Sequence, residues 1–216
     1  MNILYLALFA AVVAAHLYAS LRNDQYFRGI TKGMILLLLL GFYRESAGAP
    51  MSLMTAALLF SWLGDLLLLG HGVKWFTAGG ISFMASHLLF IASYAGVTDW
   101  SRVPLWCAAV LGTAFAAAVV LIFRSLKQFL GKGLTVPMFA YLLINGAMNC
   151  FALLRLIAAP GWAPGATAVG ALLFFVSDST LFFVRFNKNS RMKSHFLVML
   201  TYCVGEFLIV LGMIPG

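Results

Sequence analysis

The chain has 216 residues, of which 63% are hydrophobic and only 9% are charged, and its mean hydropathy is +1.00. A soluble domain carries about 25% charged residues, so this composition excludes a soluble globular protein and predicts an integral membrane protein. The net charge of +8 usually reflects basic cytoplasmic loops in such a protein, and we expect no nucleic-acid partner. The length suits one transmembrane helical domain over residues 1–216.

Eight apolar segments reach or approach the length of about 20 residues that a helical membrane span requires. In chain order they cover 3–21, 26–43, 51–70, 79–97, 103–123, 134–157, 163–185 and 194–214. The second segment is short and contains Lys32, which makes it the weakest of the eight. Pro137 is expected in the first turn of the sixth helix, where proline is tolerated. The first segment lacks a basic region before it, so we expect a retained helix and not a cleaved signal peptide.

Basic residues are divided unevenly between the two sides of these predicted helices. Eleven of the fourteen lie on one side: Arg22, Arg28, Lys32, Lys74, Arg124, Lys127, Lys132, Arg185, Lys188, Arg191 and Lys193. The other three are Arg44, Arg102 and Arg155. Because Lys and Arg are enriched in cytoplasmic loops, this division predicts an all-α bundle of eight transmembrane helices with both termini on the non-cytoplasmic side. A bacterial inner membrane is the expected location.

Two aspartates lie inside apolar segments, where an ionised Asp costs roughly 2.5–3.5 kcal/mol at the helix centre. Asp65 falls in LLFSWLGDLLLLG, residues 58–70, about 8 Å from the cytoplasmic end of the predicted third helix. Asp178 lies about 10 Å from the cytoplasmic end of the seventh, and His87 about 12 Å into the fourth. Since intramembrane carboxylates usually serve function, both aspartates are candidate catalytic residues.

Other polar side chains recur at helical spacing. Tyr141, Asn145 and Asn149 share one face of the sixth helix, and Tyr202 and Glu206 share one face of the eighth. Polar faces in membrane helices turn toward the bundle interior, which predicts one pocket in the cytoplasmic half.

Structural interpretations of these residues remain open. Lys32 fits a snorkelling lysine, whose charged group reaches toward water from a position near a helix end. His87 fits a hydrogen-bonded packing residue. The polar face of the sixth helix fits interhelical hydrogen bonding. Cys107, Cys150 and Cys203 lie within apolar segments and predict packing, not a disulfide framework.

Five stretches, in this order, resemble the YhhN-like lysoplasmalogenase family of multi-pass membrane proteins. They are TKGMILLLL, SWLGDLLLL, GGISFMASHLLFIASY, GALLFFVSDSTLFFVRF and TYCVGEFLIVLG. The ordered set is more specific than any single stretch, and it covers most of the chain. Two positions depart from the usual family pattern, which has Thr-Lys-Pro at the start of the second helix and Gln where Glu206 stands.

The resemblance implies hydrolysis of the vinyl ether bond of a lysoplasmalogen, which yields a fatty aldehyde and a glycerophospho-base. Asp65 and Asp178 would be catalytic, since two buried carboxyl groups can divide the roles of acid and stabilising anion. Lys32 or His87 would hold the phosphate, and Tyr141, Asn145, Tyr202 and Glu206 complete the expected substrate site. The expected partners are a lysophospholipid within the bilayer and membrane lipids. We expect no cofactor and no metal, because no HExxH or Cys/His cluster occurs.

Two other functional classes fit buried acids. An intramembrane aspartyl protease also uses two aspartates on different helices, but its glycine-x-glycine-Asp motif is absent, because the sequence reads Trp62-Leu63-Gly64-Asp65. A proton-coupled small-molecule or lipid transporter remains the other alternative; helices broken by Gly or Pro at matching positions would support it.

The predicted topology can be tested by cysteine accessibility in a variant without the three native cysteines. A cysteine replacing Asn189 should resist an impermeant reagent added to intact cells, because its loop is predicted to be cytoplasmic. A cysteine replacing Ala49, in a loop predicted to be external, is the positive control. Labelling at position 189 would reject the topology.

Overall fold

A computed structural model describes residues 3–187 and 195–214, in which the regular elements are helices. They are α1 (Ile3–Arg22), α2 (Gln25–Ser46), α3 (Ser52–Leu67), α4 (Val73–Gly96), α5 (Leu105–Lys127), α6 (Lys132–Ala158), α7 (Trp162–Phe186) and α8 (His195–Met213), with one 3-10 turn at Trp100–Arg102. Most of the predicted cytoplasmic loop 185–193, including Asn189, lies outside the described residues. The chain is therefore all-helical where it is described.

Seven of these helices are long and apolar enough to cross a membrane, which makes this a multi-pass membrane protein. The exception is α3, whose 16 residues extend about 24 Å, short of a hydrocarbon core about 30 Å thick. The prediction that the second helix is the weakest of the eight is wrong, since α2 has 22 residues and α3 is the helix that falls short of a span. Polar residues at both ends of α2 continue the helix beyond its apolar stretch.

Three positions along the helices differ from those expected. Because α3 ends at Leu67, Asp65 lies in its last turn, about 3 Å from the helix end. Because α4 begins at Val73, His87 lies about 21 Å from its start and is much deeper than expected. Pro137 lies in the second turn of α6 and not in the first, since that helix begins at Lys132.

Successive helices alternate in direction, since late residues of α1, α3 and α7 and early residues of α2, α4, α6 and α8 lie close together. We call this end of the bundle the basic end. Side-chain hydrogen bonds join α3 to α4 along the polar face of α4. Ser61 Oγ lies 2.7 Å from Ser86 Oγ, Ser86 Oγ donates to the Ala57 carbonyl at 2.8 Å, and Ser82 Oγ donates to the Phe60 carbonyl at 2.6 Å. These serines hold two helices together.

Glycines bring α7 and α8 into backbone contact. A Cβ atom at Gly170 would lie 2.6 Å from the Gly205 carbonyl oxygen, and one at Gly205 would lie 2.9 Å from the Gly170 carbonyl oxygen. Both distances are shorter than real Cβ contacts, and each involves backbone, which has little freedom to shift. Small residues therefore set the close approach of these helices, as is common between membrane helices.

We predict that Gly170→Ala destabilises the bundle by about 1–3 kcal/mol, the usual cost of forcing extra atoms into a packed interface. For a domain of this size, each kcal/mol lowers the melting temperature by about 2–4 °C. Gly112→Ala on α5 is the matched control, because a Cβ there meets no atom within 4 Å. Thermal unfolding in detergent measures both variants, and equal melting temperatures would contradict the proposed backbone contact.

Candidate functional site

A cavity of about 620 Å³ lies at the basic end of the bundle. In the described part of the chain, every helix except α5 contributes to its wall, and α5 packs mainly on α6. Both Asp65 and Asp178 line this cavity. The two carboxyl groups thus share one cavity, although they belong to helices distant in sequence.

Asp65 has a charged partner and a hydroxyl partner, one on each oxygen. The Lys32 ammonium lies 3.1 Å from Oδ1, and the Tyr202 hydroxyl donates to Oδ2 at 2.8 Å. The Trp62 indole, one turn before Asp65, donates to the Gly33 carbonyl at 2.9 Å, which fixes the register of α3 against α2. Asp65 is only 2% exposed, so its negative charge is compensated inside the protein.

Asp178 has a different set of partners. The Tyr141 hydroxyl donates to Oδ2 at 2.6 Å, and the Asn145 side-chain amide donates to the same oxygen at 2.8 Å. Asn149 in turn donates to Asn145 Oδ1 at 3.2 Å. The predicted polar face of the sixth helix is therefore confirmed, and two of its members hold Asp178. Among the described residues, no hydrogen bond reaches Asp178 Oδ1.

Not all of the predicted site residues reach the cavity. Lys32, Tyr141 and Tyr202 line it together with the two aspartates. Asn145, His87 and Glu206 lie behind the wall, each with 0% exposure. Direct substrate contact by these three residues stays a prediction.

His87 and Glu206 are buried polar side chains. His87 Nε2 is 3.9 Å from Asp178 Oδ2, too long for a hydrogen bond, and its ring packs edge-on against Tyr141 and Phe174. Within the described residues, no hydrogen bond of standard geometry reaches either carboxyl oxygen of Glu206, and the Ser61 side chain is a polar neighbour. His87 thus borders Asp178 from the protein interior.

Sequence reasoning missed five basic side chains of the cavity wall, namely His16, Arg28, His71, Arg185 and His195. Both arginines were counted only as cytoplasmic loop charges. A signal for Arg28 existed, because it precedes Lys32 by four residues and therefore shares its helix face. No pattern in α1 marked His16.

The remaining wall is largely apolar and includes Phe76, Phe83, Met84, Phe182 and Met199. A cavity with apolar sides, two carboxyl groups and a basic opening suits an amphipathic molecule. No group of three or more potential metal ligands occurs within residues 3–187 and 195–214, so the geometry offers no candidate metal centre there.

Comparison with known protein families indicates which kind of protein contains this cavity. The family model described as the YhhN family matches residues 27–213, which spans α2 to α8 almost completely. Searches of the curated proteins and of the solved structures found no match. Because the match covers most of the chain and includes both aspartates, the protein belongs to the YhhN family, the family of lysoplasmalogenases.

Proposed function

We propose that this protein hydrolyses the vinyl ether bond of a lysoplasmalogen, with Asp178 as the general acid and Asp65 as the stabilising anion. Family membership supports the reaction class. The observation that carries the assignment of roles is the unequal environment of two carboxyl groups in one cavity. Asp65 has a cation on one oxygen, whereas the donors of Asp178 converge on one oxygen and leave the other open.

The first step requires a proton on carbon. With Oδ2 accepting two hydrogen bonds, Asp178 Oδ1 is the oxygen suited to carry a hydrogen into the cavity. Transfer of that proton to the β-carbon of the vinyl ether produces an oxocarbenium-like cation on the carbon attached to oxygen. The Asp65 carboxylate stabilises this cation electrostatically, as one of two carboxyl groups does in glycosidases.

Water then completes the reaction without a net change in protons. Its oxygen adds to the cationic carbon and one of its protons passes to Asp65, which gives a hemiacetal. Collapse of the hemiacetal breaks the bond to the glycerol oxygen, which takes the proton from Asp65. The hemiacetal hydroxyl proton returns to Asp178. The products are a fatty aldehyde and a glycerophospho-base, and both carboxyl groups regain their starting states.

The proposed membrane arrangement has eight crossings, with the basic end in the cytoplasm and both termini outside. The excess of Lys and Arg at this end supports the orientation. Substrate would enter from the cytoplasmic leaflet, since the cavity lies at the basic end. The alkenyl chain would lie along Phe76, Phe182 and Met199, which line the cavity.

Asp178→Asn should preserve the bundle, because the amide oxygen can accept both hydrogen bonds that reach Oδ2. Asp65→Asn should keep the fold at reduced stability, because it leaves the Lys32 ammonium without its counter-ion. Each should lower the rate of aldehyde release from a lysoplasmalogen by about 10²–10⁴-fold, the usual contribution of general acid–base catalysis. Glu206→Gln is the matched control; its effect should be mild, because Gln keeps the shape of the Glu206 side chain and Glu206 does not line the cavity.

The measurement is aldehyde release by purified variants whose monodispersity in detergent equals that of the wild type. Near-normal turnover by either Asn variant would make that aspartate structural and overturn the two-carboxylate mechanism. Absence of aldehyde release by the wild type would favour the transporter or protease alternatives.

Lys32→Met should destabilise the protein, because it leaves the buried Asp65 carboxylate without its cation. Removing one partner of a buried pair costs about 3–5 kcal/mol, and we expect the lower end, since the Lys32 side chain retains 16% exposure. Adding Asp65→Asn should recover part of the lost melting temperature, because no unpaired charge remains. The exposed Lys127 provides a control as Lys127→Met. Strictly additive losses in the double variant would show that the two residues are not coupled.

A further inference from the structure

The basic opening of the cavity contains more positive than negative charge. Three side chains with permanent positive charge line the cavity, namely Arg28, Lys32 and Arg185, and its acidic lining residues are Asp65 and Asp178. Lys32 is already paired with Asp65. The two arginines have no ion-pair partner among the described residues, and the connection 188–194 contains no acidic residue.

Arg28 is the better placed of the two arginines to bind a ligand. It is half-buried, and its Nε atom is shielded from solvent without a hydrogen-bond partner in the described chain. A buried donor of a charged group is costly unless an acceptor meets it. The guanidinium offers a planar set of donors that matches phosphate or carboxylate oxygens.

A second polar group without a full set of partners lies near Arg28 in the same cavity wall. His16 is 1% exposed and lines the cavity, and its Nε2 atom has no partner among the described residues. Its Nδ1 atom lies 2.8 Å from Thr31 Oγ1, and that hydroxyl donates its hydrogen to the Phe27 carbonyl at 2.8 Å. The ring is thus anchored through Nδ1–H, so its enclosed Nε2 is an acceptor without a partner and suits a hydroxyl donor of the ligand, not a phosphate oxygen.

Arg185 completes the positive side of the opening from another helix. Its guanidinium carbon lies 5.6 Å from the centre of the Phe76 ring, in the range of a cation–π contact. This contact holds the Arg185 charge on the cavity wall.

We propose that Arg28, assisted by Arg185, forms an anion subsite that binds the phosphate of a lysophospholipid headgroup. This inference rests on the proposed function and replaces the expected role of Lys32 or His87 as phosphate ligand. Lys32 is engaged by Asp65, and His87 lies behind the wall with 0% exposure.

The spacing along α2 suits this substrate. Arg28 and Lys32 are four residues apart on one helix face, with Lys32 deeper by about 6 Å. A phosphate at Arg28 therefore places the glycerol backbone alongside α2 and the vinyl ether near the Lys32–Asp65 pair. The alkenyl chain then continues toward the apolar wall.

The test compares two substrates with the same alkenyl chain, a 1-alkenyl lysophosphatidylethanolamine and the phosphate-free 1-alkenylglycerol. Arg28→Gln should lower the ratio of kcat/KM for the first over the second by about tenfold to hundredfold, the effect of losing hydrogen bonds from a charged group. Arg28→Lys should recover part of that ratio. Arg124→Gln is the matched control and should keep the wild-type ratio, because Arg124 is exposed on α5 and does not line the cavity.

Binding provides a readout that does not depend on hydrolysis. A 1-acyl lysophosphatidylethanolamine, which has an ester in place of the vinyl ether, should raise the melting temperature of the wild type more than a monoacylglycerol with the same chain. Arg28→Gln should abolish this difference. If inorganic phosphate alone produced the Arg28-dependent shift and the phospholipid no more than the monoacylglycerol, the ligand would be free phosphate and the headgroup assignment would be overturned.

The outcomes separate the two proposals. If Arg28→Gln lowered kcat/KM equally for both substrates, or lowered neither, their ratio would stay unchanged. This result would overturn the phosphate subsite and leave vinyl ether hydrolysis intact. If the wild type released no aldehyde from either substrate, the proposed function would fail, and the binding comparison would still decide whether Arg28 recognises the phosphate.

Discussion

The ion pair between Lys32 and Asp65, 3.1 Å apart, lies where α2, α3 and α8 converge around the cavity. A carboxylate that is 2% exposed requires compensation inside the protein, and each partner of Asp65 comes from a different helix. Lys32 can serve only if α2 keeps its register, which the bond from Trp62 to the Gly33 carbonyl maintains. The helix arrangement around the cavity and the charge of Asp65 therefore depend on each other.

The need to compensate a buried carboxyl group is met in different ways at the two aspartates. Asp65 is neutralised by a cation from α2, whereas Asp178 receives neutral donors from α6. Asn149, one helical turn further along α6, donates a hydrogen bond to Asn145 and orients its side chain. Pairing with a cation and solvation by neutral donors are two distinct ways to bury a carboxyl group. Their presence in one cavity permits an acid and an anion to act on the same bond.

Much of this site could be predicted from sequence because the cost of burying a polar group is local. Asp65 and Asp178 were recognisable from their apolar surroundings alone, and the spacing of Tyr141, Asn145 and Asn149 indicated a shared face. Depth was less predictable, because helix ends depend on tertiary packing. The apolar run around Asp65 continues through Leu69, yet α3 ends at Leu67, where the chain turns toward α4.

Which residues line the cavity could not be predicted from the sequence in the same way. Helical periodicity indicates which residues share a face, but it does not reveal which helix lies opposite. His16 reaches the cavity because α1 packs on α2, where Thr31 accepts its hydrogen bond. Glu206 shares a helix face with Tyr202 in sequence, yet one turn of α8 separates a residue on the cavity wall from one enclosed in the bundle.

The shortness of α3 has a consequence for how the products of the proposed reaction leave the cavity. A helix of 16 residues extends about 24 Å, less than its longer neighbours, and it ends two residues after Asp65. The last turn of α3 thus carries Asp65 into the wall of the cavity at the basic end. For the proposed reaction, water arrives from the same side to which a charged glycerophospho-base departs, while the aldehyde partitions into the hydrocarbon beside it. Two products of opposite polarity leave by diverging routes, and neither has to cross the membrane.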